Sequence, residues 1–169
     1  MRGLRDHAGA VDHPDVWPSW RPGWQDTRVS RVVGHGPRAF ARARAGLLGW
    51  DVQRLAGVHV PLATPDAALG VHVRQTVGPG GLLVALCRVS RLVDEDGRAG
   101  FTYVALSPHP EQGEEDFDLE LREDGAVVMT IASRSRLVWP PARLASPLAR
   151  AVQRLAVTRY LRAGRLLAR

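Results

Sequence analysis

The sequence predicts an α+β fold in which a curved antiparallel sheet of about seven strands wraps around a long C-terminal helix. Three observations predict it. Between Gly57 and Val138 hydrophobicity repeats with a period of two, interrupted by turns rich in Gly and Pro. From Pro140 onward the period is helical: Leu144, Leu148, Val152 and Leu155 make one stripe, and Arg143, Arg150 and Arg154 lie opposite. The segments between strands are short, which implies antiparallel pairing. A single amphipathic helix after such a sheet must bury its stripe, and the concave face of the sheet is the simplest place for it.

The elements follow in order. Residues 1–24 form an irregular arm with Pro14, Pro18 and Pro22 beside Trp17, Trp20 and Trp24. These tryptophans are expected to dock on the body, since their apolar area is costly to leave wet. Residues 25–169 form one domain. "QDTRVSRVV" alternates as a strand, "GHGP" turns, and Pro37 suits the first turn of a helix. Phe40, Ala43, Leu47 and Trp50 keep helical spacing to about Trp50. "VHVPL" and "LGVHVRQTV" then read as two strands around a Pro-containing loop. "LLVALCRVSRLV", "AGFTYVAL", "EEDFDLELR" and "AVVMTIASRSRLV" follow, with "DEDG" and "EDG" as turns. In the last helix, Gly164 is placed to fray or end it.

Composition narrows the function. The 169 residues carry 45% hydrophobic and 24% charged side chains, ordinary for one globular domain. Met1 to Ala10 has no apolar signal-peptide core, and no stretch is long and apolar enough for a membrane span. The single Cys87 excludes an internal disulfide and a cysteine-built zinc site, and fits a cytoplasmic protein. The net charge of +6 comes with 23 basic residues that are all arginine, a skew that reads as GC-rich bacterial coding. The arginines are dispersed and the aromatics do not interleave with them, which argues against a nucleic-acid surface. No Walker loop, CxxC, HExxH or catalytic triad is present. The sequence calls for no cofactor and no metal.

Four collinear stretches carry a resemblance. "GHGPRAFARARAGLLGW", "FTYVALSPHPEQGEEDF", "DGAVVMTIASRSR" and "RAVQRLAVTRYLRA" resemble an uncharacterised bacterial and plant domain family of unknown function, from about Pro22 to Ala163. The order of elements is similar to the helix-grip proteins: START-like, polyketide-cyclase-like and birch-pollen-allergen-like (the SRPBCC group). The resemblance implies a cavity between sheet and C-terminal helix. It maps recurring polar positions onto His35, Gly36, Tyr103, His109, Gly113, Glu114, Glu115, Ser133, Ser135, Gln153 and Tyr160. The sequence departs from the family in its Trp- and Pro-rich arm and in Val104-Ala105, where a smaller Gly-Thr step is expected.

The residues themselves single out "SPHPEQGEEDFDLEL". Alternation puts Glu115 on one face with Phe117, Leu119 and Leu121, and Glu114, Asp116, Asp118 and Glu120 on the other. An inward carboxylate needs a partner or takes up a proton. Tyr103, on the face of Phe101 and Ala105, offers a hydroxyl. Pro108 and Pro110 restrict His109, and Gly113 lets the chain turn back. His109, Glu115 and Tyr103 are therefore the candidates for catalysis or ligand contact, against a purely structural His–Glu hydrogen bond. Arg88 points away from Cys87. Arg159 interrupts the helical stripe, either snorkelling or reaching a carboxylate such as Glu115. Together with Ser133, these two arginines complete the candidate ligand-binding set. Cys87 reads as a small core residue. His59 and His72 read as solvent-facing neighbours, because two histidines make a poor metal site. His35 reads as a helix-entry turn.

Three functions remain open on the sequence. The first is binding of a small apolar or amphipathic ligand in the cavity. The second is acid–base chemistry by Glu115 or His109, with Tyr103 donating to an oxyanion. The third is an arginine-mediated binder of nucleic acid or acidic protein.

Overall fold

The computed structural model of the chain describes residues 24–78, 81, 83–106, 111–137 and 146–169. Strand β1 (Gln25–His35) runs into helix α1 (Gly36–Leu48) and the short helix α2 (Asp51–Leu55). Strands β2 (His72–Val77), β3 (Leu83–Glu95), β4 (Arg98–Leu106), β5 (Glu111–Leu121) and β6 (Ala126–Leu137) follow, then helix α3 (Ser146–Leu167). The six strands form one sheet in the order β1-β6-β5-β4-β3-β2. Every pairing is antiparallel. Bulges between Val32 and Gly34 and between Val89 and Arg91 add twist, which curves the sheet.

The sheet has six strands among the described residues, not seven. "VHVPL" alternates correctly, with Val58 and Val60 buried and His59 exposed. Only His59 pairs, however, exchanging both backbone hydrogen bonds with Thr76 at 2.9 and 3.0 Å. Pro61 has no N–H to extend the ladder.

The first helix ends earlier than its periodicity suggests. Trp50 takes a left-handed conformation, φ 69°, which separates α1 from α2. It is fully buried, donates from Nε1 to the Pro65 carbonyl at 2.8 Å, and packs on Phe101 at 4.9 Å. Those contacts hold a backbone conformation that a bulky residue otherwise avoids.

Helix α3 lies against α1, α2, β1 and β6. Among its described side chains Val157, Tyr160, Leu161 and Ala163 are buried, with Ala156 and Leu167 partly buried beside them, and Ala168 just past its end is buried as well. Leu155, expected to face the sheet, is 50% exposed. Leu144 lies outside the described residues, as do the side chains of Leu148 and Val152. Gly164 does not end the helix. A Cβ there would lie 2.4 Å from Met129 Sδ, so the glycine is where helix and sheet approach closely. Arg42 reaches over to donate to the Ala168 carbonyl at 2.8 Å.

The outer face is polar except near one end. Arg91 pairs with Asp118 at 2.8 Å and Asp116 at 3.5 Å, and Thr102 donates to Asp116. Trp24 packs on Val104 and Leu106 of the outer face, with the Arg136 guanidinium 5.4 Å above its ring. Trp17 and Trp20 lie outside the described residues. None of the described helices is long and apolar enough to cross a membrane.

Candidate functional site

The concave face divides into two halves. One is filled by large apolar side chains: Phe101, Phe117, Leu119, Met129 and Ile131, all at most 2% exposed. The other carries small or polar ones. There Val89, Tyr103, Glu115, Ser133 and Thr27 form one row across five strands. The next row, toward the strand ends at Leu106, Glu111 and Leu137, holds Cys87 opposite Ala105 and Gly113 opposite Ser135. On the edge strand, Gln75 stands opposite Ala85. Ala85, Cys87, Ala105 and Gly113 thus give this half a floor of small residues, with polar groups around it.

The polar groups are joined. Tyr103 donates its hydroxyl proton to Glu115 Oε2 at 2.5 Å. Ser133 sits opposite Glu115, and Gln153 of α3 reaches Ser133 Oγ at 3.3 Å and Ser135 Oγ at 3.5 Å. The Tyr103 ring packs on Phe117 at 5.6 Å, and Tyr160 meets Phe117 edge-on at 5.0 Å. Alternation delivers Glu115 inward while Glu114 and Asp116 face out, as the sequence indicates. Gly113 does not turn the chain; it lies inside β5 with φ 147°.

Electrostatics follow from burial. Burial raises the Tyr103 hydroxyl well above its ordinary pKa, and the neighbouring Glu115 carboxylate adds to the shift. Burial also raises the Cys87 thiol, again with Glu115 contributing. Both groups are neutral when protonated, and both hold their protons more tightly in the folded chain. Their stabilising contribution is therefore complete below the unfolded values, about 8.5 for Cys and 10 for Tyr. As pH rises past those values the unfolded chain releases protons first, and stability falls by about 1.4 kcal/mol per pH unit per group. The urea midpoint is expected to drop steadily between about pH 9 and 11, with Tyr103→Phe removing part of the slope. An alkaline limb identical in Tyr103→Phe would contradict this assignment.

The structure brings Tyr103, Glu115 and Ser133 together and places Arg88 and Arg159 elsewhere. His109 lies outside the described residues. Arg88, opposite Val104 and His72, is on the outer face of the sheet. Arg159 is exposed and lies beside Gly57, away from the polar row. His59 and His72 are exposed and pair with Thr76 and Arg88, not with each other. His35 is exposed at the start of α1, without a side-chain cap.

Two inward polar residues went unnoticed in the sequence. Gln75 is 4% exposed and Gln53, on α2, is wholly buried. Gln75 was readable, because it alternates between the inward Val73 and Val77. Gln53 had no such signal, since α2 is too short to show a period.

Comparisons with known proteins agree with this architecture. A "UPF0548 protein" of Deinococcus radiodurans is 36% identical over 154 residues, covering 83% of this chain and 77% of that protein. A hypothetical protein from Helicobacter pylori superposes with a TM-score of 0.61 at 12% identity, over 91% of this chain and 95% of its own. Ara h 8.0201 superposes at 0.53 with 12% identity, over 86% and 98%. A norcoclaurine synthase point mutant from Thalictrum, solved with a transition-state analogue, superposes at 0.56 with 10% identity, over 85% and 94%. These similarities support the helix-grip fold. The domain of unknown function DUF1990 matches residues 6–163, which takes in most of the arm, the sheet and most of α3, and the chain belongs to that family.

Proposed function

We propose that this is a START-like, SRPBCC-type protein that binds a small, amphipathic ligand over the small-residue half of its concave face. The observation that carries the reading is the Tyr103–Glu115 pair, inward-facing beside Ser133 and above Ala105 and Gly113. A few joined polar groups at one end of an otherwise apolar interior are what orients a ligand in such a site. Residues 25–169 are the binding unit. Their lone, buried thiol suits a reducing cytoplasm.

The Tyr103 hydroxyl favours binding over acid–base catalysis. Its single proton is committed to Glu115, so it presents lone pairs to a ligand rather than a donor to an oxyanion. Its raised pKa keeps it protonated through the neutral range, which removes it as a base. On the outer face Arg91 and Arg134 are engaged with carboxylates, which weighs against a phosphate-binding surface there.

The test is native mass spectrometry of the purified protein, followed by binding of whatever co-purifies to Glu115→Gln. The amide still accepts from Tyr103, so folding is retained. Affinity is expected to fall about two- to tenfold, the worth of one hydrogen bond at about 0.5–1.5 kcal/mol. A turnover rate that collapses on the order of a hundredfold with binding intact would instead establish Glu115 as a general base. Normal binding with a lower melting temperature would make the pair structural.

A further inference from the structure

Gln53 is fully buried, and neither its Oε1 nor its Nε2 has a hydrogen-bond partner among the described residues. The Nε2 of Gln75 is also buried without one. Almost every buried amide in a folded protein is paired, so such groups mark a place where something else makes the bonds. The two residues flank the same segment. The Gln53 carbonyl accepts from the Val58 amide at 3.0 Å, and His59 pairs with Thr76, the neighbour of Gln75. That pairing sets the inward Val60 beside Gln75, which faces the interior opposite Ala85. α2 packs against α3, so the same helix covers the Gln53 side and the polar row.

We infer that Gln53 and Gln75 form an amide-reading end of the proposed ligand site, and that the ligand is a planar lactam or nitrogen heterocycle presenting an N–H beside a carbonyl. A primary amide with both atoms unused is complementary to that edge: Nε2 donates to the carbonyl while Oε1 accepts the N–H. The Gln75 Nε2 donates to a second acceptor. Ala85, Cys87 and Ala105, beside Gln75 on the inward face, are small side chains, so little bulk stands between the amide end and the polar row. Hydrogen-bond readout of this kind discriminates strongly, because the wrong ligand leaves buried groups unpaired. The inference rests on the site reading above and adds the chemistry of the ligand.

The probes are 2-quinolinone and its N-methyl derivative, measured by calorimetry on wild type, Gln53→Leu, Gln75→Leu and Glu115→Gln. Wild type is expected to bind 2-quinolinone at least tenfold more tightly than the N-methyl compound. Gln53→Leu should abolish the discrimination and, without ligand, melt at or above the wild-type temperature, since it removes an unpaired buried amide. Gln75→Leu should weaken both compounds alike. Equal binding of the two compounds, no binding of either, or discrimination that survives Gln53→Leu overturns the inference. So does a crystal structure with a buried water satisfying both Gln53 amide atoms while ligand lies elsewhere. If the co-purified ligand depends on Glu115 and not on Gln53 or Gln75, this inference fails and the site reading stands. If 2-quinolinone discrimination depends on Gln53 while Glu115→Gln changes nothing, the reverse holds.

Discussion

Gly113→Ala is expected to destabilise the protein by more than about 3 kcal/mol and to dislodge Glu115. Gly113 sits inside β5 at φ 147°, outside the range other residues adopt without strain. A backbone conformation of that kind costs about 1–3 kcal/mol for a residue with a side chain. The close approach adds to it: a Cβ would lie 2.0 Å from the Arg134 carbonyl oxygen and 2.7 Å from the Ser135 Cα. Those atoms are backbone of β6, so they cannot rotate away. Relief requires β5 and β6 to part, which breaks ladder bonds beside the Glu115–Ser133 pair. Gly125→Ala is the control. It shares a positive φ, 80°, but has no atom within 4 Å of the added Cβ. It should cost only the left-handed penalty, about 1–2 kcal/mol. Urea denaturation of the two variants measures the difference. Equal losses would mean that conformation alone, and not the approach of β6, demands the glycine.

How much was legible follows from which signals have a period. The strands were, because alternation is a two-residue pattern and Glu115, Phe117 and Leu119 obey it. The order of the helices and the antiparallel pairing came with it, since short turns leave little choice. The failures have separate physical causes. "VHVPL" has the alternation of a strand without the hydrogen-bond donor at Pro61, and hydrophobicity does not record donors. Leu155 was misplaced because the described contact of α3 depends on smallness. Gly164 brings the helix onto Met129 beside the buried Ala163, and neither small residue stands out as a core position on apolar character. Leu155 does score, yet it faces outward. Trp50 fitted the helical spacing, but its left-handed backbone is fixed by tertiary contacts that no local pattern encodes. In the candidate site, alternation gave an inward Glu115 and a Tyr103 hydroxyl to partner it, but the alignment that lets the two meet depends on the β4–β5 register. Register is set by where the turns fall, and one residue of slip would have faced the same side chains to solvent.

Phe117→Ala is expected to cost about 3–5 kcal/mol, the usual range for deleting a buried phenylalanine ring. The side chain is fully buried at the centre of an aromatic cluster. Its ring lies 5.2 Å from Phe101, 5.6 Å from Tyr103 and 5.0 Å from Tyr160. Three ring contacts add about 0.5–1.5 kcal/mol each to the area it buries. They also connect different parts of the molecule. Phe101 and Tyr103 belong to β4 and Tyr160 to α3, so Phe117 is the joint between the sheet and the helix it grips. Its loss should be felt unequally. Amides of α3 near Tyr160 are expected to exchange faster than those of the β1–β6 ladder, which keeps its own hydrogen bonds. Phe117→Leu, which leaves most of the volume filled, should lose clearly less and keep the helix protected. The polar row should respond as well. Phe117 supports the Tyr103 ring from below, and a cavity there frees Tyr103 to leave Glu115. Ligand affinity should therefore fall in Phe117→Ala even at temperatures where the chain remains folded. A cost below about 2 kcal/mol, with uniform exchange along α3 and the sheet, would show that neighbouring side chains collapse into the space and that the helix is held elsewhere.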